Sequence, residues 1–120
     1  MKILGHIHSF NDEDVIERSL QALLDQTHPL HEIVIVDNGS TDRTLERVFP
    51  RPVTVIRHEE NRGTSGAVVT GFQYALDHGY DWIWIFDADT APRNDALEKL
   101  LSLYMTLGPK LRPQIRVLAS

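Results

Sequence analysis

The sequence predicts an α/β domain in which a mostly parallel sheet carries helices on both faces. Short apolar runs alternate along the chain with longer segments whose apolar residues recur at helical spacing. Two of the runs, Ile33-Val34-Ile35-Val36 and Trp82-Ile83-Trp84-Ile85-Phe86, show no polar alternation, as a strand covered on both faces requires. Strand–helix alternation of this kind is the signature of a parallel sheet.

Residues Lys2 to His8 form the first strand. Asn11 then has the chemistry to cap a helix, with Asp12, Glu13 and Asp14 in the first turn, where the helix dipole favours negative charge. Phe10 and Val15 have the spacing of a hydrophobic staple. Ile16, Leu20, Leu23 and Leu24 share one face until His28-Pro29 stops the helix. The second strand, Ile33 to Val36, ends in Asp37-Asn38-Gly39-Ser40, where Ser40 or Thr41 can cap a short helix ending near Phe49. Val53 to Arg57 is the third strand, and Glu60-Asn61-Arg62-Gly63 is a loop. Thr64 or Ser65 opens a helix with Val68, Phe72, Ala75 and Leu76 on one face, closed by His78-Gly79. Trp82 to Phe86 is the fourth strand. A helix with Leu97, Leu100, Leu101 and Tyr104 on one stripe ends at Gly108-Pro109, and Ile115 to Leu118 is a fifth strand.

Composition bounds the function. A chain of 120 residues holds one domain with a real core but not two. Hydrophobic residues at 42% and charged residues at 24% describe an ordinary globular protein. Twelve basic residues against seventeen acidic ones give a charge of -5, and the Lys and Arg are scattered, which argues against nucleic acid. The absence of cysteine excludes disulfides and thiolate metal sites. No apolar stretch approaches the roughly 20 residues of a membrane span, and no signal-peptide pattern opens the chain. A soluble intracellular domain is expected.

In open α/β sheets, ligands bind outside the carboxyl ends of the strands, where strand order reverses. The four strand exits are His8-Ser9-Phe10-Asn11, Asp37-Asn38, Asn61-Arg62-Gly63 and Asp87-Ala88-Asp89, and all four are polar. Carboxylates at Asp37, Asp87 and Asp89 in one place would repel each other without a cation between them. Hard oxygen ligands suit Mg²⁺ or Mn²⁺, an ion that keeps some waters and is completed by substrate phosphates. The implied chemistry is binding of a metal–diphosphate.

Each stretch also has a purely local reading. Asp37-Asn38-Gly39-Ser40 serves as a turn and cap, and a lone D-x-D after a strand is a common turn. Asn61-Arg62-Gly63 with Gly66 and Gly71 reads as loop flexibility and close helix packing, and it lacks the G-x-G-x-x-G pattern of dinucleotide sites. His6 and His8 share one side of a strand but have no third ligand, and Trp82 and Trp84 read as core packing. The joint placement of the polar clusters favours a site.

The series H-S-F-N, L-L-D-Q-T-H-P, E-I-V-I-V-D-N-G-S-T-D, E-N-R-G-T-S-G and D-A-D, over about residues 2 to 106, resembles the inverting glycosyltransferases of family 2. Gln26-Thr27 with Glu32 and Val36 to Asp42 is more specific than the D-x-D alone. The E-N-R-G-T-S-G-A and D-A-D-T-A-P stretches look most like rhamnosyl- and galactofuranosyltransferase-type members. The resemblance implies the Rossmann-like nucleotide-binding half of the GT-A fold. It places His8, Ser9 and Phe10 against the donor's nucleobase, where Phe10 stands for a frequent Tyr. It assigns Asp37 and Asn38 to base contact, although relatives often carry Asp in place of Asn38. Asn61, Arg62 and Gly63 would border base and ribose. Asp87 would meet ribose or metal, and Asp89 would ligate a divalent Mn²⁺ or Mg²⁺ that bridges the diphosphate.

His8 departs from the usual Pro, Thr or Ala, and Val68-Val69 stand where an Asn is common. In the family, a later acceptor-binding half supplies the Asp or Glu that deprotonates the acceptor hydroxyl. No such segment precedes Ser120, so the expectation is a donor-binding portion truncated at its C-terminus, inactive alone. Its implied partners are a UDP- or dTDP-linked sugar and, in the full-length enzyme, a saccharide or lipid-linked acceptor. A cytoplasmic location, at the inner membrane face in the full-length form, and self-association through the truncated surface are also expected. Two alternatives stay open: a non-catalytic nucleotide-sugar-binding module and a sugar nucleotidyltransferase. The second should carry a Gly-rich, Lys/Arg-containing signature after the first strand, and H-S-F-N-D-E-D does not. A receiver-type signalling domain would need a late-strand Lys, and Lys110 is poorly placed for that role.

Overall fold

A computed structural model of the chain describes residues 1–106 and the backbone of 116–119. In chain order the elements are β1 (Ile3–Ser9), α1 (Ile16–Leu24), β2 (Glu32–Asp37), α2 (Thr44–Val48), β3 (Thr54–Arg57), α3 (Gly63–Asp77), β4 (Trp82–Asp87), α4 (Ala96–Met105) and β5 (Arg116–Ala119). The strands form one sheet in the order β3-β2-β1-β4-β5, and every neighbouring pair is parallel. Strand order therefore reverses between β1 and β4, which places the switch point of the sheet at their carboxyl ends.

The alternation of side chains along each strand feeds two cores. Ile3, Ile7, Ile33, Ile35, Trp84 and Phe86 face α1, α2 and α4, which contribute Ile16, Leu20, Leu23, Val48, Leu97 and Leu101. Leu4, Val34 and Ile83 face α3, where Ala75 meets them. Trp84 and Phe86 are both 1% exposed, and burying each is worth about 2–3 kcal/mol. This two-sided burial explains why the strands lack polar alternation.

Several local expectations are corrected. Asn11 does not cap α1: it adopts φ 52°, a left-handed conformation that Asn tolerates. Its side-chain oxygen accepts from the backbone of Thr41 (2.8 Å) and Asp42 (3.3 Å). Phe10, the proposed staple residue, is 44% exposed. The first helix proper starts at Ile16 and ends at Leu24 rather than at His28-Pro29, after a turn in which Asp12 accepts from the N–H groups of Val15 and Ile16. At α2 it is Asp42, not Ser40 or Thr41, that bonds the helix start, through the N–H and hydroxyl of Thr44. Helix α3 begins at Gly63, one residue before the expected Thr64, and buries Ala67, Gly71 and Ala75, leaving Leu76 60% exposed. That stripe is chosen by space. A Cβ on Gly71 would lie 2.2 Å from Cδ2 of His6 on β1, so only glycine lets the helix approach this closely. Gly108-Pro109 and Ile115 lie outside the described residues.

The residues Gln26 and Thr27 act as scaffolding. Gln26 donates to Ala22 O (3.0 Å) and Arg93 O (2.7 Å) and accepts from Leu97 N–H (3.0 Å). The amide thus caps the start of α4 and fixes the chain that leaves β4. Among the described residues no helix is long and apolar enough to cross a membrane.

Candidate functional site

At the carboxyl ends of β1, β2 and β4 the chain encloses an open cleft of about 300 Å³. Its lining comes from four places: His8, Ser9, Phe10 and Asp12 after β1; Asn38 after β2; Asn61, Gly63 and Thr64 before and within α3; Asp87, Ala88 and Asp89 after β4. Eight of the ten residues expected at the site, His8, Ser9, Phe10, Asn38, Asn61, Gly63, Asp87 and Asp89, are therefore together.

Asp37 and Arg62 are not in the lining. Asp37 is fully buried, and its carboxylate closes the turn after β2 by accepting from Ser40 N–H (3.0 Å) and Ser40 Oγ–H (2.5 Å). Arg57 lies 3.9 Å from the same carboxylate. Gly39 in this turn takes φ +83°, and a side chain there would meet the Glu59 carbonyl at 3.1 Å, so the glycine is required on both counts. The Arg62 side chain instead lines a neighbouring polar depression with Arg57, Glu59 and Glu60.

The walls of the cleft are tied to each other by side chains. Ser9 Oγ–H and Phe10 N–H both donate to Asp12 Oδ2 at 2.9 Å, and Asn11 N–H donates to Ser40 Oγ at 2.9 Å. Asp12 N–H donates to Thr44 Oγ1 at 2.9 Å. Across the switch point His8 Nε2–H donates to Asp87 Oδ1 at 2.5 Å. On the opposite wall Asn38 Nδ2–H donates to Gly63 O at 3.1 Å, which holds the 61–64 loop against the end of β2. Asn61 Oδ1 in turn accepts from Gly63 N–H at 2.7 Å.

Asp87 and Asp89 both face solvent at the cleft. Asp87 keeps one carboxylate oxygen on His8, and Asp89 has no hydrogen-bond or ion-pair partner among the described residues. No group of three or more His, Asp or Glu side chains gathers into a metal cage among the described residues. Two hard, exposed carboxylates nevertheless fit a divalent cation that takes its remaining ligands from water and phosphate, the habit of Mg²⁺ sites.

Sequence reasoning missed Asp12 and Thr64 in the lining, and His58 beneath it. The local signal for His58 was its place directly after the third strand, but nothing in the sequence pairs it with Asn38.

Residues 6–110 match the sequence profile described as Glycosyl transferase family 2. The chain is 32% identical over 112 residues to the UDP-N-acetylglucosamine–dolichyl-phosphate N-acetylglucosaminyltransferase of Methanococcus voltae, a match that covers 79% of this chain and 44% of that protein. The mannosyltransferase PcManGT from Pyrobaculum calidifontis, solved with GDP-Man and Mn²⁺, superposes with a TM-score of 0.73 at 28% identity, covering 83% of this chain and 31% of that one. Residues 1-349 of TarS from S. aureus, solved with UDP, superpose with a TM-score of 0.71 at 26% identity, covering 88% of this chain and 32% of that one. The chain thus has the GT-A fold and spans less than half the length of these proteins.

Proposed function

This chain belongs to glycosyl transferase family 2, and on that premise we propose that it is the donor-binding domain of a transferase. The enzyme would move a sugar, with inversion, from a nucleoside diphosphate to a hydroxyl acceptor. One observation carries the reading: the polar exits of β1, β2 and β4 and the 61–64 loop meet in a single cleft at the switch point. The nucleotides held by PcManGT and TarS support a ligand of that class here.

In this reading His8, Ser9 and Phe10 lie against the base, and the exposed Phe10 ring offers a face for it. Asn38 contacts the base edge, while Asn61, the backbone at Arg62, and Gly63 border the ribose. Asp37 acts through Ser40, fixing the turn that presents Asn38, rather than by touching the nucleotide. Asp89 and the free oxygen of Asp87 would hold Mn²⁺ or Mg²⁺ beside the diphosphate. A divalent ion there supplies charge neutralisation to the departing nucleoside diphosphate. The chain's own part is to orient the donor and to present the two carboxylates at and just past the end of a buried strand. The acceptor, a saccharide or lipid-linked hydroxyl, and the base that activates it belong to further parts of a longer enzyme. The relatives' lengths, more than twice that of this chain, support that division.

Titration of UDP-sugar and dTDP-sugar into ¹⁵N-labelled protein tests the reading. Shifts should concentrate at residues 8–10, 38, 61–64 and 87–89. Binding that perturbs none of these, or no binding by either donor, would overturn it.

A further inference from the structure

The base side of the cleft rests on a buried histidine to which the proposed function gives no part. His58 directly follows β3, is 4% exposed, and has both ring nitrogens bonded. Nδ1 lies 2.9 Å from Asn38 Oδ1, and Nε2 lies 2.9 Å from the hydroxyl of Thr70 on α3. The polarity of the network fixes where the protons sit. Gly63 O can only accept, so the Asn38 atom 3.1 Å from it is the amide nitrogen. The amide oxygen then faces His58, and Nδ1 must carry the hydrogen. Nε2 is then an acceptor facing the Thr70 hydroxyl, whose one hydrogen it shares with Gly66 O at 3.1 Å. Burial lowers the pKa of His58, the Arg62 guanidinium adds to this, and Asp37 opposes it, in keeping with a neutral ring at pH 7.

Asn38 Oδ1 also accepts from Arg62 N–H at 3.4 Å. Both of its lone pairs are therefore occupied, and one Nδ2 hydrogen is the only hydrogen-bonding capacity left on a side chain that lines the cleft. We propose that His58 is a positioning residue for base recognition: it locks the Asn38 amide so that Asn38 meets a nucleotide as a donor only. The inference rests on the nucleotide-sugar reading above and sharpens it to a ligand class. A base that turns a keto oxygen toward Asn38, as uracil and thymine do at position 4, is matched. The exocyclic amino group of cytosine at the same position would face donor against donor and lose that hydrogen bond.

Two substitutions separate positioning from simple structural support. In His58→Asn the side-chain amide reaches the place of Nδ1 and keeps the donor to Asn38. In His58→Gln the amide reaches the place of Nε2 and keeps only the tie to Thr70. Calorimetric titration of UDP and CDP into wild type and both variants, with thermal unfolding of each protein, tests the proposal. Wild type should prefer UDP by about tenfold, the effect of one well-placed hydrogen bond. His58→Asn should retain the preference and His58→Gln should lose it, whatever their relative melting temperatures. Equal binding of UDP and CDP by wild type would overturn the proposal. So would a preference unchanged in His58→Gln, or one that simply follows stability. Wild type that binds neither nucleotide would overturn the nucleotide-sugar reading itself, a different result from the other three.

Discussion

His8 Nε2 lies 2.5 Å from Asp87 Oδ1 and joins the exits of β1 and β4 across the line where strand order reverses. The two residues are register partners in the parallel ladder, so the contact is set by the backbone and not by chance approach of long side chains. The imidazole side chain is 10% exposed and the carboxylate 68% exposed. One oxygen of Asp87 is thus fixed by a nearly buried ring, and the other is free for the cleft.

Replacing His8 by Ala should release that carboxylate. A hydrogen bond to a charged group contributes about 1.5–3 kcal/mol, less when solvent reaches one partner. Metal-dependent UDP binding should therefore weaken by about tenfold, with little change in melting temperature. Calorimetry with and without Mn²⁺ checks this, and unaltered affinity would show that His8 does not orient Asp87 for the metal.

His6, two residues earlier on the same strand face, has a different task. Its ring is fully buried, Nε2–H donates to Ala67 O at 3.2 Å, and Nδ1 has no hydrogen-bond partner. Burial lowers its pKa from 6.5 to about 4. A depressed histidine pKa means that the folded state favours the neutral ring. Stability is therefore complete above pH 6.5 and lost as pH falls from there toward about 4. The loss should approach about 3 kcal/mol. Urea unfolding at pH 7 and pH 4.5 should show it, and His6→Phe should remove most of the difference.

Gly71 is the other side of that contact. Because a Cβ would fall 2.2 Å from His6 Cδ2, Gly71→Ala should cost roughly 1–3 kcal/mol through overpacking of a core with no slack. The gain in helix propensity from Gly to Ala, about 1 kcal/mol, works against this. A net loss in urea midpoint therefore requires that the clash dominate, and a stabilised variant would show that α3 can move away from β1.

The fold was legible because its strands are buried on both faces. Ile33 to Val36 and Trp82 to Phe86 carry that burial as uninterrupted apolar runs, and Ile16, Leu20 and Leu23 mark the α1 stripe. Less legible was anything decided by long-range polar partners. Asn11 has the chemistry of a cap, yet it serves the turn after β2, some 30 residues away in sequence. Asp37 looks like a ligand and is consumed by Ser40. On α3 the apolar Leu76 faces solvent while Gly71 lies inside, because contact distance to His6 outweighs side-chain hydrophobicity there. The strand exits identified the region of the cleft, since residues placed just past parallel strands converge wherever the order reverses. His58 could not be assigned, because its function depends on an Asn 20 residues away and a Thr 12 residues away.

In the proposed function Asp89 is a ligand of a divalent metal beside the bound nucleotide. The most direct test of that role is titration of UDP and dTDP, with and without Mn²⁺, into wild type and Asp89→Ala. Wild type should bind at least about tenfold more tightly with the metal, and Asp89→Ala should bind weakly in both conditions while melting like wild type. Equal binding by the two proteins, unaffected by Mn²⁺, would contradict it.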